Sequence, residues 1–486
     1  MSHSRTQCTG YQRFVSRRDF LRQAGGGLGM VALADLLRAD DKLLSGPGLH
    51  HVASARRVLL LFMSAGVSHV DTFDHKPALA RLDGKALEGQ GNITDVFFRQ
   101  PGKLMRSPFK FQQYGETGKW VSEIFPHMAE RVDQLTFLHS MVAEQNSHGP
   151  AMYHMSTGFG RNGYPSLGSW TIYGLGSETR DLPAFVSLMD RGLPPSGAAN
   201  WGNAFLPAKF QGTVFRGEGN PILDLNPPAD YRPDQQRASF DLLAQLNEEH
   251  ARRNPGDTEL AARIEAYELA ARMQLSAPEV ADLSRETEAT LDAYGVNRPD
   301  KQQATFSRIC LLGRRLLERG VRFVSIYCGS HNNVPDFNWD AHANLDRNHR
   351  MNAMISDQPI GALLDDLKAR GLLEDTLVVW TGEFGRTPTS EGSNGRDHNI
   401  LGFTSWLAGG GVKPGYSHGA TDDVGFRAVV DPVPICDFHA TILHLLGINH
   451  ERLTYYHNGF QQRLTGVKGR VVQEVLQNPE RYRPKA

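Results

Sequence analysis

The stretch TLVVWTGEFGRTP, residues 376–388, carries the strongest signal for the fold of this chain. Its first six residues are an apolar run of the length that is typical of a buried strand. A turn containing Gly382 and Gly385 follows directly and holds the acidic residue Glu383. Ligands bind outside the carboxyl ends of the strands in open α/β sheets. A carboxylate in this position therefore predicts a functional site at the edge of a sheet.

Two further polar clusters occupy similar places in the sequence. The apolar run VRFVSIY, residues 321–327, is followed by Asp340 and His342, and a loop rich in Gly, Ser and Asn later carries Asp397 and His398. Burying carboxylate and imidazole groups is costly unless something pairs them. A divalent metal does so, and carboxylate with imidazole is an ordinary ligand set for Zn or Mn. The sequence therefore predicts a centre of one or two such ions.

Helical and strand patterns alternate from residue 301 onward, which predicts an α/β fold with a parallel or mixed sheet and helices on its faces. The predicted strands are 56–63, 135–138, a run within 183–189, 321–327, 376–381 and 403–408. The predicted helices are 124–132, 149–157, 301–319, 347–370 and 434–446. Residues 75–120 are predicted to be irregular.

The composition changes between residues 232 and 293, where glycine is scarce and apolar residues recur at helical spacing. This pattern predicts a helical insertion of two or three helices, because an amphipathic helix needs an apolar stripe. The predicted breaks between them are Asn254-Pro255-Gly256 and Ser276-Ala277-Pro278. The insertion is expected to cover the site or to contact a partner.

The N-terminal sequence SRRDFLR, residues 16–22, resembles a twin-arginine (Tat) export signal. A short apolar stretch follows, and Ala32-Leu33-Ala34 is a small-x-small cleavage site. The stretch is shorter than the roughly 20 apolar residues that a transmembrane helix needs. Residues 1–34 are therefore predicted to be a signal peptide. The mature chain, without a transmembrane segment, is expected in the periplasm or outside the cell; the alternative is an ordinary amphipathic leader.

Composition excludes several classes of function. The 486-residue chain has 52 basic and 53 acidic residues, which gives no electrostatic footprint for nucleic acid. It has only four cysteines, at 8, 310, 328 and 436, and this wide spacing indicates neither a disulfide framework nor a zinc knuckle.

Other candidate residues lie nearer the N-terminus. The segment SAGVSHVDTFD, residues 64–74, follows the first predicted strand and offers His69 and Asp71 as further ligands. Ser147 and His148 precede a predicted helix, where free N–H groups and the helix dipole favour an anion or a nucleophile.

Each of these clusters also has a purely structural explanation. Ser147 could be a helix cap, and Asp340 could cap the following helix. Glu383 could form an ion pair with Arg386, and Asp397 could lie in a solvated loop. Residues 64–74 could be a turn that caps a helix.

Six runs together carry a resemblance to the DUF1501 family, which is placed with the alkaline phosphatase and sulfatase superfamily. They are MSAGVSHVDTFD at 63–74, NSHGPAMYHMSTG at 146–158, WDAH at 339–342, VVWTGEFGRTP at 378–388, GRDHN at 395–399 and DFHATILHLLGI at 437–448. The resemblance covers residues 50–465 and leaves 466–486 as a C-terminal tail.

The resemblance implies an alkaline phosphatase-like sheet with helices on both faces and a metal site that holds a phosphate or sulfate ester. It also implies a Ser, Thr or modified Cys nucleophile at a helix N-terminus. His148 stands there instead, beside Ser147, so a formylglycine sulfatase is disfavoured. Glu383-Phe384 stands where the superfamily often has Asp-His, and Ser64 replaces an Asp at the end of the first strand.

The sequence thus predicts an exported metal-dependent hydrolase of phosphate or sulfate esters. Its expected metal ligands are His69, Asp71, Asp340, His342, Glu383, Asp397 and His398. Ser147 or His148 is expected to attack or to act as the base, and Arg386 or Arg396 to hold the oxyanion. The expected partners are the Tat export machinery and an anionic ester such as a sulfated glycan. The alternative is a catalytically degenerate binding or scaffold protein on the same fold.

Overall fold

The computed structural model describes residues 47–88, 102–217, 221–222, 232–254, 258–329 and 338–482. These residues belong to one unit, which begins at Pro47. The predicted signal peptide, residues 1–34, lies outside the described residues, as do residues 255 and 256 of the first predicted helix break.

A mixed β-sheet of nine strands forms the centre of the described part of the chain. Its strands are β1 (Arg57–Met63), β2 (Leu135–Val142), β3 (Phe185–Met189), β4 (Thr213–Arg216), β5 (Phe323–Cys328), β6 (Thr376–Thr381), β7 (Phe403–Ala408), β8 (Ser417–His418) and β9 (Val433–Pro434). Their order is β8-β2-β7-β6-β1-β5-β3-β4, and β9 also pairs with β2. The central strand β1 is parallel to β5 and β6, whereas β7 is antiparallel to both of its neighbours.

Ten α-helices accompany this sheet in the described residues. They are α1 (Pro77–Arg81), α2 (Pro126–Ala129), α3 (His148–Thr157), α4 (Leu167–Leu175), α5 (Pro233–Arg253), α6 (Thr258–Ala281), α7 (Glu288–Tyr294), α8 (Lys301–Glu318), α9 (Leu345–Ala369) and α10 (Ile435–Leu445). The 3₁₀ helices are His69–Asp71, Val132–Gln134, Gly197–Trp201, Ala208–Phe210, Leu283–Arg285, Gln473–Val475 and Pro479–Tyr482. Short two-stranded ladders join Phe111–Tyr114 to Lys119–Ser122, Gly385–Arg386 to His398–Asn399, Ala420–Thr421 to Ala428–Val430, and Tyr455–His457 to Phe460–Gln462.

The two faces of the sheet build two separate hydrophobic cores. Successive side chains of a strand point to opposite faces, and β1 is buried along nearly its whole length. Leu59 and Leu61 join the core that contains α8 and α9. Leu60 and Phe62 join the core that contains α3, α4 and α10. Helices therefore cover both faces, and the predicted α/β class with a mixed sheet is confirmed.

The strand predictions hold best where the apolar runs are short and fully buried. Strands β6 and β7 match their predicted limits residue for residue, and every side chain in them is buried. Such runs are typical of strands covered on both faces. The segment beyond residue 466, which was expected to be a tail, contributes Val472, Val475 and Leu476 to the core around α10.

Two local predictions were wrong. Residues 75–120 are not entirely irregular, because they include α1 and the Phe111–Tyr114 strand of a hairpin. The predicted break at residues 276–278 is absent, since α6 continues through Pro278 to Ala281. Ala277 and Val280 beside this proline are fully buried in the core. Their packing offsets the roughly 3 kcal/mol that a proline costs inside a helix.

None of the helices described here is both long enough and apolar enough to cross a membrane.

The core on the α9 side of the sheet predicts the effect of shortening a leucine. Leu364 of α9 is fully buried, whereas Met354 on the same helix is half exposed. We expect Leu364→Ala to lower the free energy of unfolding by about 2–5 kcal/mol, because it removes buried methyl groups and leaves a cavity. Met354→Ala, the control, should change it by less than about 0.5 kcal/mol. Urea unfolding measures both, and equal effects would contradict this placement of α9.

Candidate metal centre

Four segments of the chain meet beyond the carboxyl ends of β1, β5 and β6. The turn after β6 forms a short antiparallel ladder with a later loop, in which Arg386 lies opposite His398. The segment after β5 is tied to β1 by the N–H of Trp339, which donates to the carbonyl of Ser64 at 3.0 Å. Helix α3 begins at His148 after β2 and supplies the fourth segment.

The imidazoles of His148, His342 and His398 converge with the carboxylate of Asp340. One nitrogen or oxygen atom from each residue lies within 4.8 Å of the other three. The Oδ2 atom of Asp340 is 3.3 Å from Nε2 of His148. Its Oδ1 atom is 3.0 Å from Nε2 of His342 and 3.6 Å from Nε2 of His398. Imidazole nitrogens with a carboxylate oxygen are a normal set of zinc ligands.

Each of the three imidazoles has an acceptor at its other ring nitrogen. The Nδ1 contacts are His148 with Oε1 of Glu383 at 2.8 Å, His342 with Glu391, and His398 with the carbonyl oxygen of Asn146 at 2.7 Å. Because these acceptors require a proton on Nδ1, a neutral ring turns the lone pair of its Nε2 toward the centre. A carboxylate or carbonyl behind the histidine is the usual outer arrangement at metal sites.

Two features of the cluster fit a bound cation. The Nε2 atoms of His342 and His398 lie 3.0 Å apart, and two lone pairs at that distance repel each other unless a proton or a metal ion is shared between them. The Nε2 atom of His148 is buried and makes no hydrogen bond of good geometry, although Oδ2 of Asp340 lies 3.3 Å from it. Buried polar atoms without partners are uncommon in native proteins. The residues present therefore fit a divalent metal ion.

The charges around the cluster also favour a cation. Burial opposes ionisation of Asp340, but the Arg386 guanidinium beside it holds the pKa of that carboxyl well below its usual range. Burial lowers the pKa of His398 to about 3, which keeps this imidazole neutral. Burial also acts against the charged form of His148, but the neighbouring carboxylates of Asp340 and Glu383 outweigh it and raise its pKa to about 9. Without a metal, a proton on His148 supplies the positive charge.

Arg386 was predicted to hold an oxyanion, but the structure places it beneath the cluster. Its guanidinium is completely buried and donates to Oδ1 of Asp340 at 2.6 Å. It also donates to the backbone carbonyls of Ala65 and Gly66. These bonds fix the carboxylate of Asp340 relative to the end of β1.

Glu383, a predicted ligand, lies behind His148 and outside the group of converging atoms. Its side chain is fully buried. Both of its oxygens accept the backbone N–H of Ala65, at 2.9 and 3.0 Å, and Oε1 also accepts Nδ1 of His148.

Asp71 and His69, also predicted ligands, lie apart from the cluster. Asp71 forms an ion pair with Arg396 at 2.6 Å, and neither side chain has any exposure to solvent. Ser68 donates a further hydrogen bond to Asp71. The Nε2 atom of His69 contacts the carbonyl of Gly425 at 2.7 Å. Arg396, the second residue expected to hold an oxyanion, is thus engaged by Asp71.

Asp397 and Ser147 lie next to the cluster. The Oδ1 atom of Asp397 accepts the backbone N–H of His398 at 2.7 Å. With His342 and Glu391, Asp397 also forms a second group of ligand-type atoms within 4.8 Å. Ser147 occupies the cap position before α3, but its side chain makes no capping hydrogen bond.

The sequence analysis missed two groups that orient the imidazoles. Glu391 lies in the polar loop between Glu383 and Asp397, and its acidity is the only sequence signal that could have suggested it. The carbonyl of Asn146 contacts His398, a residue 252 positions away. A backbone carbonyl has no sequence signal, because every residue carries one.

The buried ion pair of Asp71 with Arg396 predicts a large loss of stability when Asp71 is neutralised. We expect Asp71→Asn to lower the free energy of unfolding by about 3–5 kcal/mol, because it leaves Arg396 as a buried charge without its partner. Glu144→Gln is the control, since Glu144 pairs with Lys468 where both side chains are mostly exposed. Its cost should stay below about 1 kcal/mol. Denaturant unfolding compares the two, and a loss for Asp71→Asn as small as the control's would contradict the prediction.

Comparison with solved structures gives distant similarities. A phosphonate monoester hydrolase from Silicibacter pomeroyi shares 14% identity over 73% of this chain and 72% of its own, with a TM-score of 0.35. The sulfatase PsFucS1 from Pseudoalteromonas sp. shares 14% identity over 87% of this chain and 72% of its own, with a TM-score of 0.34. The lipoteichoic acid synthase LtaP from Listeria monocytogenes shares 10% identity over 85% of this chain and 75% of its own, with a TM-score of 0.34.

Comparison with curated protein sequences gives no match. The profile of one family, described as "Protein of unknown function (DUF1501)", matches residues 55–476. That range includes every strand of the central sheet and all four side chains of the converging cluster. The protein belongs to the DUF1501 family.

Proposed function

We propose that this protein is an exported, metal-dependent hydrolase of phosphate or sulfate esters. One observation carries the proposal: three imidazole nitrogens surround the Asp340 carboxylate, and each ring has an acceptor at its Nδ1. A surface cluster of histidines would not need three separate acceptors that fix the ring orientations. His148, Asp340, His342 and His398 are the residues that would hold the ion.

A divalent ion in this position supplies Lewis-acid chemistry toward an ester oxygen and makes water a stronger nucleophile near neutral pH. The chain supplies the rest of the site. The N-terminal end of α3 lies at the cluster through His148, and the positive end of a helix dipole favours an anionic ester. The buried guanidinium of Arg386 keeps Asp340 ionised and oriented.

The substrate class follows from the charge of the ligand that such a site would bind. A bound cation together with a helix N-terminus favours a compact anion, and phosphate and sulfate esters carry one. The family resemblance implies the same class, of which a sulfated glycan is one member. Export by the twin-arginine route, which Arg17 and Arg18 support, would bring the enzyme to such substrates in the periplasm or outside the cell.

A second candidate function is anion binding without turnover. It is favoured by the residue at the start of α3, where the superfamily implied by the resemblance carries its nucleophile. This chain has His148 there, and its two ring nitrogens face Glu383 and Asp340. If no other group attacks the ester, the same centre would hold an anionic ligand unchanged.

Removal of one imidazole tests the metal centre. We expect His342→Ala and His398→Ala each to weaken Zn²⁺ or Mn²⁺ binding at least about 100-fold, because losing a ligand should cost no less than losing an outer partner. Elemental analysis of the purified mature protein and metal titration measure this. Hydrolysis of aryl phosphate and aryl sulfate esters should fall in parallel.

His250→Ala is the matched control, because His250 is an exposed histidine on α5. It should leave both metal content and hydrolysis unchanged. A folded wild-type protein that takes up no metal would refute the metal centre. Metal binding and anion binding without cleavage of either ester would favour the second candidate function.

Replacement of the arginine pair tests the route of export. We expect the double variant Arg17→Lys, Arg18→Lys to remain in the cytoplasm, because the twin-arginine signal is read by a receptor that requires the pair. Cell fractionation followed by immunoblotting measures the distribution. Arg13→Lys, which lies upstream of the pair, is the control. Equal export of the double variant would show that residues 1–34 are not a twin-arginine signal.

A further inference from the structure

The number of ions at the centre depends on which nearby carboxylates have an oxygen available to coordinate a metal. Glu383 is the carboxylate that lies directly behind the cluster. Its oxygens already accept hydrogen bonds from a backbone N–H just after β1 and from an imidazole. Both accept the N–H of Ala65, and Oε1 accepts Nδ1 of His148 as well. Since the side chain is fully buried, a second ion would have only the remaining lone pairs of these oxygens to bind and would have to lose its water to reach them.

The residue after Glu383 removes another potential ligand. Phe384 is buried, and its ring centre lies 5.1 Å from that of His148 and 4.4 Å from that of His398. The resemblance places an imidazole of the superfamily at this position. A phenyl ring has no lone pair to donate, so it packs against the two histidines and provides no bond to a metal.

The carboxylate of Asp71, which lies apart from the cluster, is also engaged in other contacts. Asp71 gives Oδ2 to the Nε of Arg396 at 2.6 Å and accepts the hydroxyl of Ser68 on the same oxygen, while Oδ1 lies 3.2 Å from Nη2 of Arg396. The ion pair is fully buried, and breaking it would leave the guanidinium without a counter-charge.

The group of His342, Glu391 and Asp397 does not offer an independent second site. It shares His342 with the first group, and its Glu391 already contacts Nδ1 of that ring. An ion placed there would have to share Glu391 with the imidazole that this carboxylate orients.

From these contacts we infer that the side chains of the described residues hold a single divalent ion at this centre, and that Glu383 is a positioning residue which fixes His148 and does not bind the metal. The inference rests on the proposed function, because it presupposes a metal at the four converging side chains. It goes further because it concerns a second ion: Glu383 and Asp71 are engaged in other contacts, and Phe384 offers no lone pair.

Metal titration of the mature protein tests both parts of the inference. A chelator first removes any bound metal, and metal is then added back. Zn²⁺ is the probe, and elemental analysis after equilibrium dialysis gives the number of ions per chain. We expect one ion per chain in the wild type. Glu383→Gln should keep that number and bind Zn²⁺ about 10–100-fold more weakly, because the amide cannot support the basicity and orientation of His148 as a carboxylate does.

Glu144→Gln makes the same chemical change at an exposed ion pair and should leave Zn²⁺ affinity unchanged. If Glu383→Gln does not fold, as judged by circular dichroism, Glu383→Asp retains the charge and should give a smaller loss of affinity with one ion per chain.

The outcomes separate this inference from the proposed function. Two ions in the wild type, of which Glu383→Gln removes one, would overturn the inference and leave the metal-dependent hydrolase intact. An unchanged Zn²⁺ affinity in folded Glu383→Gln would overturn the positioning role. A wild type that binds no metal at all would overturn the proposed function and the inference together.

Discussion

The buried guanidinium of Arg386 is the constraint on which the site depends. Its donors reach the two carbonyls after β1, the carboxylate after β5 and the carbonyl of Arg396 in the neighbouring loop. A fully buried arginine is stable only when its donors are paired, and these acceptors come from segments that are distant in sequence. The geometry of the metal centre is therefore fixed by a cation of the protein itself, which holds Asp340 in place before any ligand arrives.

The orientations of the converging imidazoles are likewise fixed by groups that lie outside the cluster. Carboxylates and a carbonyl take the Nδ1 protons, so the remaining nitrogens are directed to one point. In the metal-free chain, the carboxylates of Asp340 and Glu383 raise the pKa of His148 to about 9, which favours a proton on this ring near neutral pH. Binding of a metal would release this proton, because a ligating histidine must be neutral. The outer residues thus determine both the orientation of the ligands and the competition between proton and metal.

Sequence patterns predicted the sheet well because each buried strand is a short, continuous run of apolar residues, as in β6 and β7. The same patterns indicated Asp340, His342 and His398, since polar residues that follow buried strands need partners. They could not show that Asp71 pairs with Arg396 or that Glu391 contacts His342, because those contacts are set by tertiary packing. The helix through Pro278 was missed for the same reason: the packing of Ala277 and Val280 outweighs the local preference of proline.

The wide separation of the converging residues also determines when the centre can exist. His398 contacts the carbonyl of a residue 252 positions earlier, and His148 contacts a carboxylate 235 positions later. The four ligands converge only when the segments after β2, β5 and β6 and the loop of residues 395–399 have come together. Capture of an ion by all four side chains therefore marks a chain whose central sheet has formed. Metal occupancy would then indicate that the chain has folded. The twin-arginine route predicted for this protein carries folded chains, so such an indicator would be relevant to its export.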